Sequence, residues 1–138
     1  MIAYLDASVV LRLILGEPEP LAEWPRVEAA VTSALTEVEC LRTLDRLMRV
    51  GSLTAEELAE RRTAVYRLLE AVEVVDVARP VLGRAAEPFP TPLGTLDAIH
   101  LSTALIWRDA RNLSPVMATH DKALATGARS VGLEVIGV

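Results

Sequence analysis

Short strand-like segments alternate with helical segments along the chain, and this alternation constrains the fold more than any other feature of the sequence. The strand-like segments cover residues 2–5, 30–33, 72–77, 115–119 and 133–136. Strands that are separated by helices can pair in parallel, because each connecting helix returns the chain to the same end of the sheet. The sequence therefore predicts a three-layer α/β fold, in which helices flank a mainly parallel five-stranded sheet.

The intervening segments show the apolar spacing of amphipathic helices. We predict helices over residues 9–15, 35–48, 54–70, 80–86, 96–107 and 121–128. Gly16 ends the first helix, Thr54 and Glu57 form a capping box at the start of the third, and Pro80 suits the first turn of the fourth. No internal repeat or interdomain linker interrupts this pattern, so we expect one domain over residues 1–138.

Composition indicates a folded protein without disulfides. Hydrophobic residues make up 51% of the chain, yet no apolar run reaches the roughly 18 residues that a membrane span requires. The single cysteine, Cys40, cannot form an internal disulfide, and the first residues lack the basic and apolar segments of a signal peptide. We therefore expect a cytoplasmic protein that does not enter a membrane.

The net charge limits how the chain can bind nucleic acid. Fourteen basic and 19 acidic residues give −5, which argues against binding by simple neutralisation of phosphates. Divalent ions bound to carboxylates would cancel part of this charge locally.

Four acidic residues fall where the predicted strands end. Asp6 follows the first strand, Glu39 lies in the opening turns of the helix after the second, and Asp121 follows the fourth. Asp97 lies in the first helical turn after a proline-rich loop. Ligands of open parallel sheets bind at the carboxyl ends of the strands, so these four acids are candidates for a shared site.

Each of these acids also has a purely structural explanation. Asp6 and Asp121 could cap helices, Asp97 could complement a helix dipole, and Glu39 could complete a capping box with Thr36. Four converging carboxylates, however, repel one another unless protons or a cation neutralise them. Hard oxygen donors select Mg²⁺ or Mn²⁺, which can activate water for attack on a phosphodiester. The residues alone leave both interpretations open.

Four segments carry a pattern in their order and spacing: YLDAS at residues 4–8, TS at 32–33 leading to VECLR at 38–42, LDAIHL at 96–101 with TA at 103–104, and THD at 119–121. The pattern resembles PIN-domain ribonucleases and, within them, VapC-type toxins of bacterial toxin–antitoxin pairs. The resemblance extends over nearly the whole chain. It implies a PIN fold, a Mg²⁺ or Mn²⁺ centre, RNA cleavage, homodimerisation and inhibition by a small antitoxin protein.

The resemblance also implies roles for individual residues. The acidic quartet of the family matches Asp6, Glu39, Asp97 and Asp121. The three aspartates are the implied metal ligands, whereas Glu39 is either a ligand or a group that orients water. Ser8 and Thr119 match hydroxyls that hydrogen-bond the acids or their water shell. Glu37 is a rival to Glu39, but it lies about 160° away around the helix and the motif favours Glu39.

Two further residues lie beside these motifs. Arg42 lies on the same side of its helix as Glu39, where it could contact the RNA backbone or form an ion pair with Glu39 or Asp45. His100 shares a helix face with Asp97. We expect it to be a packing residue without a role in proton transfer.

Two other function classes remain as alternatives. Asp76 ends a strand shortly before Pro80, as in a receiver-like phosphoacceptor domain, although a single acid rather than a pair follows the first strand. A phosphatase of the haloacid-dehalogenase type is excluded because Ser8 stands where its second aspartate is required. A non-catalytic PIN-fold module that binds RNA or protein is also compatible with the sequence.

The abundance of apolar helix faces predicts surfaces for protein partners. We expect the helical hairpin over residues 35–69 and the first helix to expose a groove for an antitoxin helix. We expect the homodimer contact near residues 101–107.

Overall fold

Five parallel strands form one sheet, and six helices cover it. In the computed structural model, which describes residues 1–138, the strands are β1 (Ile2–Leu5), β2 (Ala29–Ser33), β3 (Glu73–Val75), β4 (Val116–Ala118) and β5 (Val135–Ile136). The helices are α1 (Ala7–Leu15), α2 (Leu35–Arg49), α3 (Ala55–Ala71), α4 (Arg79–Ala85), α5 (Thr95–Arg111) and α6 (Lys122–Ser130). The predicted α/β fold with a parallel five-stranded sheet is confirmed.

The order of the strands places β1 at the centre of the sheet. The order is β3-β2-β1-β4-β5, and Ala3 on β1 lies opposite Ala30 on β2 and Val116 on β4. The chain first builds outward from β1 through β2 to β3, and then crosses to β4 on the other side. The strand order therefore reverses between β1 and β4, and open α/β sheets bind ligands at the carboxyl ends of the strands beside such a switch point.

Side chains of β1 alternate between two cores. Ala3 and Leu5 pack with buried residues of α1, α2 and α3, whereas Tyr4 packs with Leu101 and Leu105 of α5 and with Leu124 of α6. Because successive side chains of a strand point to opposite faces, the residue after Leu5 continues on the side of Tyr4. Asp6 is that residue, so the strand directs its carboxylate toward the α5 layer.

Local sequence signals account for some of the helix ends. Gly16 ends α1 at a φ of 64°, a backbone conformation that favours glycine. The capping box predicted for α3 is confirmed, because Thr54 Oγ1 accepts the Glu57 N–H and Glu57 Oε1 accepts the Thr54 N–H, both at 3.1 Å. The capping box given as a structural alternative for Glu39, with Thr36, does not form: Thr36 lies inside α2, and its hydroxyl shares a hydrogen bond with Thr32 Oγ1 at 2.8 Å.

The helix face expected to form the homodimer contact is already used within the chain. Leu101, Ala104, Leu105 and Trp107 are buried in the core between α5 and the sheet. The expected position of that contact was therefore wrong. Large apolar side chains are exposed instead at Val38 and Val50 near the two ends of α2.

None of the helices combines the length and apolar character that crossing a bilayer requires.

The capping box gives a direct test of how α3 is stabilised. Thr54→Ala should lower the free energy of unfolding by about 1 kcal/mol, because it removes the acceptor for the Glu57 N–H. Thr63→Ala, in the exposed middle of the same helix, should leave stability unchanged or slightly raise it, because alanine is the better helix former. Chemical denaturation of both variants measures the difference. Equal losses would show that the capping box contributes nothing.

Candidate metal centre

The carboxylate of Asp6 is buried at the end of β1 and is held by two hydroxyl groups. Asp6 Oδ2 accepts hydrogen bonds from Ser8 Oγ at 2.7 Å and from Thr119 Oγ1 at 2.8 Å. Ser8 lies in the first turn of α1, and Thr119 directly follows β4. The two hydroxyls therefore fix the orientation of the carboxylate of a residue that is only 5% exposed.

The same hydroxyls accept hydrogen bonds from the backbone. Ser8 Oγ accepts the His120 N–H at 3.0 Å, and Thr119 Oγ1 accepts the Asp121 N–H at 3.0 Å. The Asp6 N–H also donates to the Ala118 carbonyl at 3.0 Å. The turn after β1 is thus tied to the turn after β4 by a continuous hydrogen-bond network around Asp6.

Helix capping, the structural alternative for Asp6 and Asp121, holds for only one of them. Asp6 occupies the N-cap position of α1, but its side chain makes no capping hydrogen bond, so this alternative is wrong for Asp6. Asp121 does cap α6, because its Oδ1 accepts the Leu124 N–H at 2.9 Å. No hydrogen bond reaches the second carboxylate oxygen of Asp121.

Asp97 lies in the first turn of α5 and feels the charge of the other acids. Burial and the charges of Asp121, Asp6 and Glu39 together raise its pKa to about 6, while His100 opposes the increase. Ionising the Asp97 carboxylate at this position therefore requires more free energy than ionising it in water. The structure therefore brings the four acids into one electrostatically coupled region at the carboxyl edge of the sheet.

Glu39 reaches this region from the second turn of α2. Its Oε1 lies 2.5 Å from His100 Nε2, and the same ring nitrogen lies 3.6 Å from Asp6 Oδ1. No hydrogen bond or ion pair joins Glu37 to the site. Glu37 and Glu39 are two positions apart on α2, so their side chains point to different sides of the helix. Glu39 is the one that faces the acids.

His100 is the residue whose place in the site the sequence analysis missed. It is buried, as expected for a packing residue, but its ring bonds both Glu39 and the Tyr4 hydroxyl, the latter at 2.9 Å to Nδ1. Burial lowers its pKa, but the hydrogen bond to Glu39 and the charges of Asp6, Glu39 and Asp97 outweigh burial and raise it. Its spacing of three residues after Asp97 was the available signal, since it places both side chains on one helix face.

The positions proposed for RNA contact and for phosphoacceptance lie outside this cluster. Arg42 is exposed and forms no ion pair, and Asp45 pairs with Arg49 at 2.8 Å instead. Asp76 is exposed after the edge strand β3, which β2 separates from β1. The structure therefore does not form the receiver-like arrangement, in which the phosphoacceptor would lie beside the acid after β1.

The donor set fits a hard divalent cation in chemical type, although the side chains do not form a closed cage. No three Asp, Glu, His or Cys side chains lie close enough together to enclose a metal ion. Mg²⁺ is usually bound through one or two carboxylates and keeps several waters, so it does not need such a cage. A cation would offset the charges of Asp121, Asp6 and Glu39 that raise the pKa of Asp97. It would also have a free donor atom in the carboxylate oxygen of Asp121 that accepts no hydrogen bond.

Comparisons with known proteins identify the family of this chain. The model of the PIN domain family matches residues 3–129. Two curated relatives from Mycobacterium tuberculosis cover almost the whole chain. Ribonuclease VapC47 (strain CDC 1551 / Oshkosh) is 32% identical, covering 94% of this chain and 91% of its own. Ribonuclease VapC46 (strain ATCC 25618 / H37Rv) is 35% identical, covering 96% and 95%.

A solved structure supports the same fold at lower sequence identity. A toxin–antitoxin complex from Klebsiella pneumoniae superposes with a TM-score of 0.64 at 16% identity, covering 93% of this chain and 93% of the matched chain. At that identity the likeness concerns the fold alone. The family match and the two relatives show that the chain belongs to the PIN domain family and, within it, to the VapC group.

Proposed function

We propose that this protein is a divalent-metal-dependent endoribonuclease that hydrolyses RNA phosphodiester bonds, in one nuclease domain over residues 1–138. The observation that carries the proposal is the coupling of four carboxylates at the switch point between β1 and β4. The two relatives named ribonucleases support RNA as the substrate. A non-catalytic binding module would not need this costly accumulation of negative charge.

In this proposal Asp6, Asp97 and Asp121 hold the ion, which is Mg²⁺ or Mn²⁺, and Glu39 either completes the ligand set or orients water. When bound, the ion lowers the pKa of a water molecule and offsets the negative charge of the phosphate under attack. The chain contributes the geometry. Ser8 and Thr119 hold Asp6 in place, and the cap on α6 holds Asp121.

The proposal includes protein partners. The chain acts as the toxin of a toxin–antitoxin pair, is inhibited by a small antitoxin protein and forms a homodimer. Support comes from its membership of the VapC group and from the fold it shares with the toxin–antitoxin complex of Klebsiella pneumoniae.

The first prediction concerns activity. Asp6→Asn and Asp97→Asn should each abolish most RNA cleavage, because each removes a charged donor to the cation. Cleavage of a labelled RNA with Mg²⁺ or Mn²⁺, compared with chelator-treated protein, measures the effect. Ser102→Ala, a buried change elsewhere on α5, should leave cleavage intact. Equal cleavage by metal-loaded and chelator-treated protein would refute the metal mechanism, and no cleavage with either metal would favour the binding module.

The second prediction concerns stability against pH in chelator. The pKa of Asp97 in the folded protein is about 6, compared with 3.8 for the free side chain. The folded state therefore binds more protons between these values, and Asp97 destabilises it increasingly as the pH rises from about 4 to about 6.

Asp97→Asn cannot ionise, so its melting temperature relative to that of the wild type should rise across this pH interval and then stay constant. Thermal unfolding at a series of pH values in chelator tests this. Added Mg²⁺ should stabilise the wild type more than the variant. A variant that is less stable than the wild type at every pH would indicate that Asp97 is a structural hydrogen-bonding residue.

The third prediction concerns Arg42 and the RNA backbone. Arg42→Ala should weaken RNA binding and reduce the salt dependence of the affinity by about one phosphate contact. Arg49→Ala is the matched control, because Arg49 is exposed on the same helix but is already paired with Asp45. Binding of a nonhydrolysable RNA in increasing salt separates affinity from cleavage. An unchanged salt slope for Arg42→Ala would remove this residue from the RNA site.

A further inference from the structure

Two buried side chains lie behind Glu39 and have no part in the chemistry proposed above. Tyr4 and His100 are both 1% exposed or less. The Tyr4 hydroxyl lies 2.9 Å from His100 Nδ1, and His100 Nε2 lies 2.5 Å from Glu39 Oε1. The three side chains form one hydrogen-bonded line that runs from the core to the acidic cluster.

The direction of these hydrogen bonds follows from the chemistry of the partners. His100 Nε2 faces the carboxylates of Glu39 and Asp6, which accept hydrogen bonds when ionised, so Nε2 carries a proton and donates a hydrogen bond to Glu39. The other ring nitrogen, Nδ1, shares a hydrogen bond with the Tyr4 hydroxyl, which donates to a neutral ring and accepts from a protonated one. Burial raises the pKa of Tyr4 well above its usual value, which keeps the hydroxyl protonated.

Glu39 needs such a partner because nothing else holds it. It is an unbranched side chain with three rotatable bonds, and its side chain is 22% exposed. The charges of Asp6 and Asp97 repel it from the site, and hydration draws it outward. The N–H of His100 is the only hydrogen-bond donor in contact with its carboxylate.

We propose that His100 is a positioning residue that holds the Glu39 carboxylate at the metal centre, and that Tyr4 fixes the orientation of the His100 ring. The inference rests on the proposed function, since it assumes that Glu39 acts there as a ligand or as a group that orients water. His100 itself transfers no proton in this scheme. It acts through Glu39, its hydrogen-bond partner at 2.5 Å.

The experiment compares His100→Ala, His100→Gln and Tyr4→Phe with the wild type. The readouts are Mn²⁺ affinity without RNA, from the electron paramagnetic resonance signal of free Mn²⁺, and kcat for RNA cleavage at saturating Mn²⁺. His100→Ala should lose about 10- to 100-fold in metal affinity or in kcat, the range typical of residues that orient metal ligands. His100→Gln keeps an N–H donor and should recover most of the loss, and Tyr4→Phe should lose less than His100→Ala.

A double-mutant cycle distinguishes positioning from a general structural effect. If His100 acts through Glu39, His100→Ala should have little further effect on either readout in a Glu39→Gln background. Ser102→Ala is the matched control, because Ser102 is fully buried on the same helix and its hydroxyl has no partner. Thermal unfolding in chelator identifies a variant that does not fold, in which case His100→Gln and Tyr4→Phe decide the matter.

The outcomes separate the two proposals. Unchanged affinity and kcat in His100→Ala, or losses that add fully to those of Glu39→Gln, would overturn the positioning role while the wild-type enzyme still binds metal and cuts RNA. A wild-type protein that neither binds Mn²⁺ nor cuts RNA would overturn the proposed function, and the positioning role with it.

Discussion

The carboxylate of Asp6 is buried at the end of the central strand, where an uncompensated charge would cost on the order of several kcal/mol. Hydrogen bonds from Ser8 and Thr119 offset this cost, and those hydroxyls are held in turn by backbone N–H groups of the loop after β4. Stabilising one buried charge therefore requires α1, β4 and the start of α6 to meet at the same point. The position of Asp121 follows from that meeting, because it is two residues beyond Thr119 and begins α6.

The other two acids, Glu39 and Asp97, lie on helices α2 and α5, whose apolar residues fill the core. On α5, Leu101 and Leu105 pack against the sheet beside Tyr4, while Asp97 and His100 lie nearer the helix start and face the acidic edge. On α2, Cys40 and Leu44 pack in the opposite core, and Glu39 turns toward His100. Packing of the two helix layers thus sets where Asp97 and Glu39 stand relative to Asp6. Repulsion among the carboxylates is the cost of that arrangement, as is common where a site is built for function rather than for stability.

His100 shows how one residue can serve both the core and the site. Its ring packs edge to face against Tyr4, with the ring centroids 5.9 Å apart, and the same two groups share a hydrogen bond. A buried histidine in apolar surroundings would ordinarily be neutral, because burial opposes its charge. Here the carboxylates of Glu39, Asp6 and Asp97 reverse that tendency. The His100 ring therefore contacts both the core, through Tyr4, and the acidic site, through Glu39.

The sequence by itself determined the strand–helix alternation, the fold class and the end of β1 at which Asp6 lies, because hydrophobic period, caps and breakers act over a few neighbouring residues. The Thr54–Glu57 capping box is such a local signal, and it formed as predicted. Local rules failed where distant contacts compete: Asp6 does not cap α1, because Thr119 and Ser8 take its carboxylate, and the α5 face around Leu105 is core rather than partner surface. Only the tertiary structure decided that His100 meets Glu39, 61 residues away. That contact depends on how α2 and α5 pack across the sheet edge, and no periodicity within either helix encodes it.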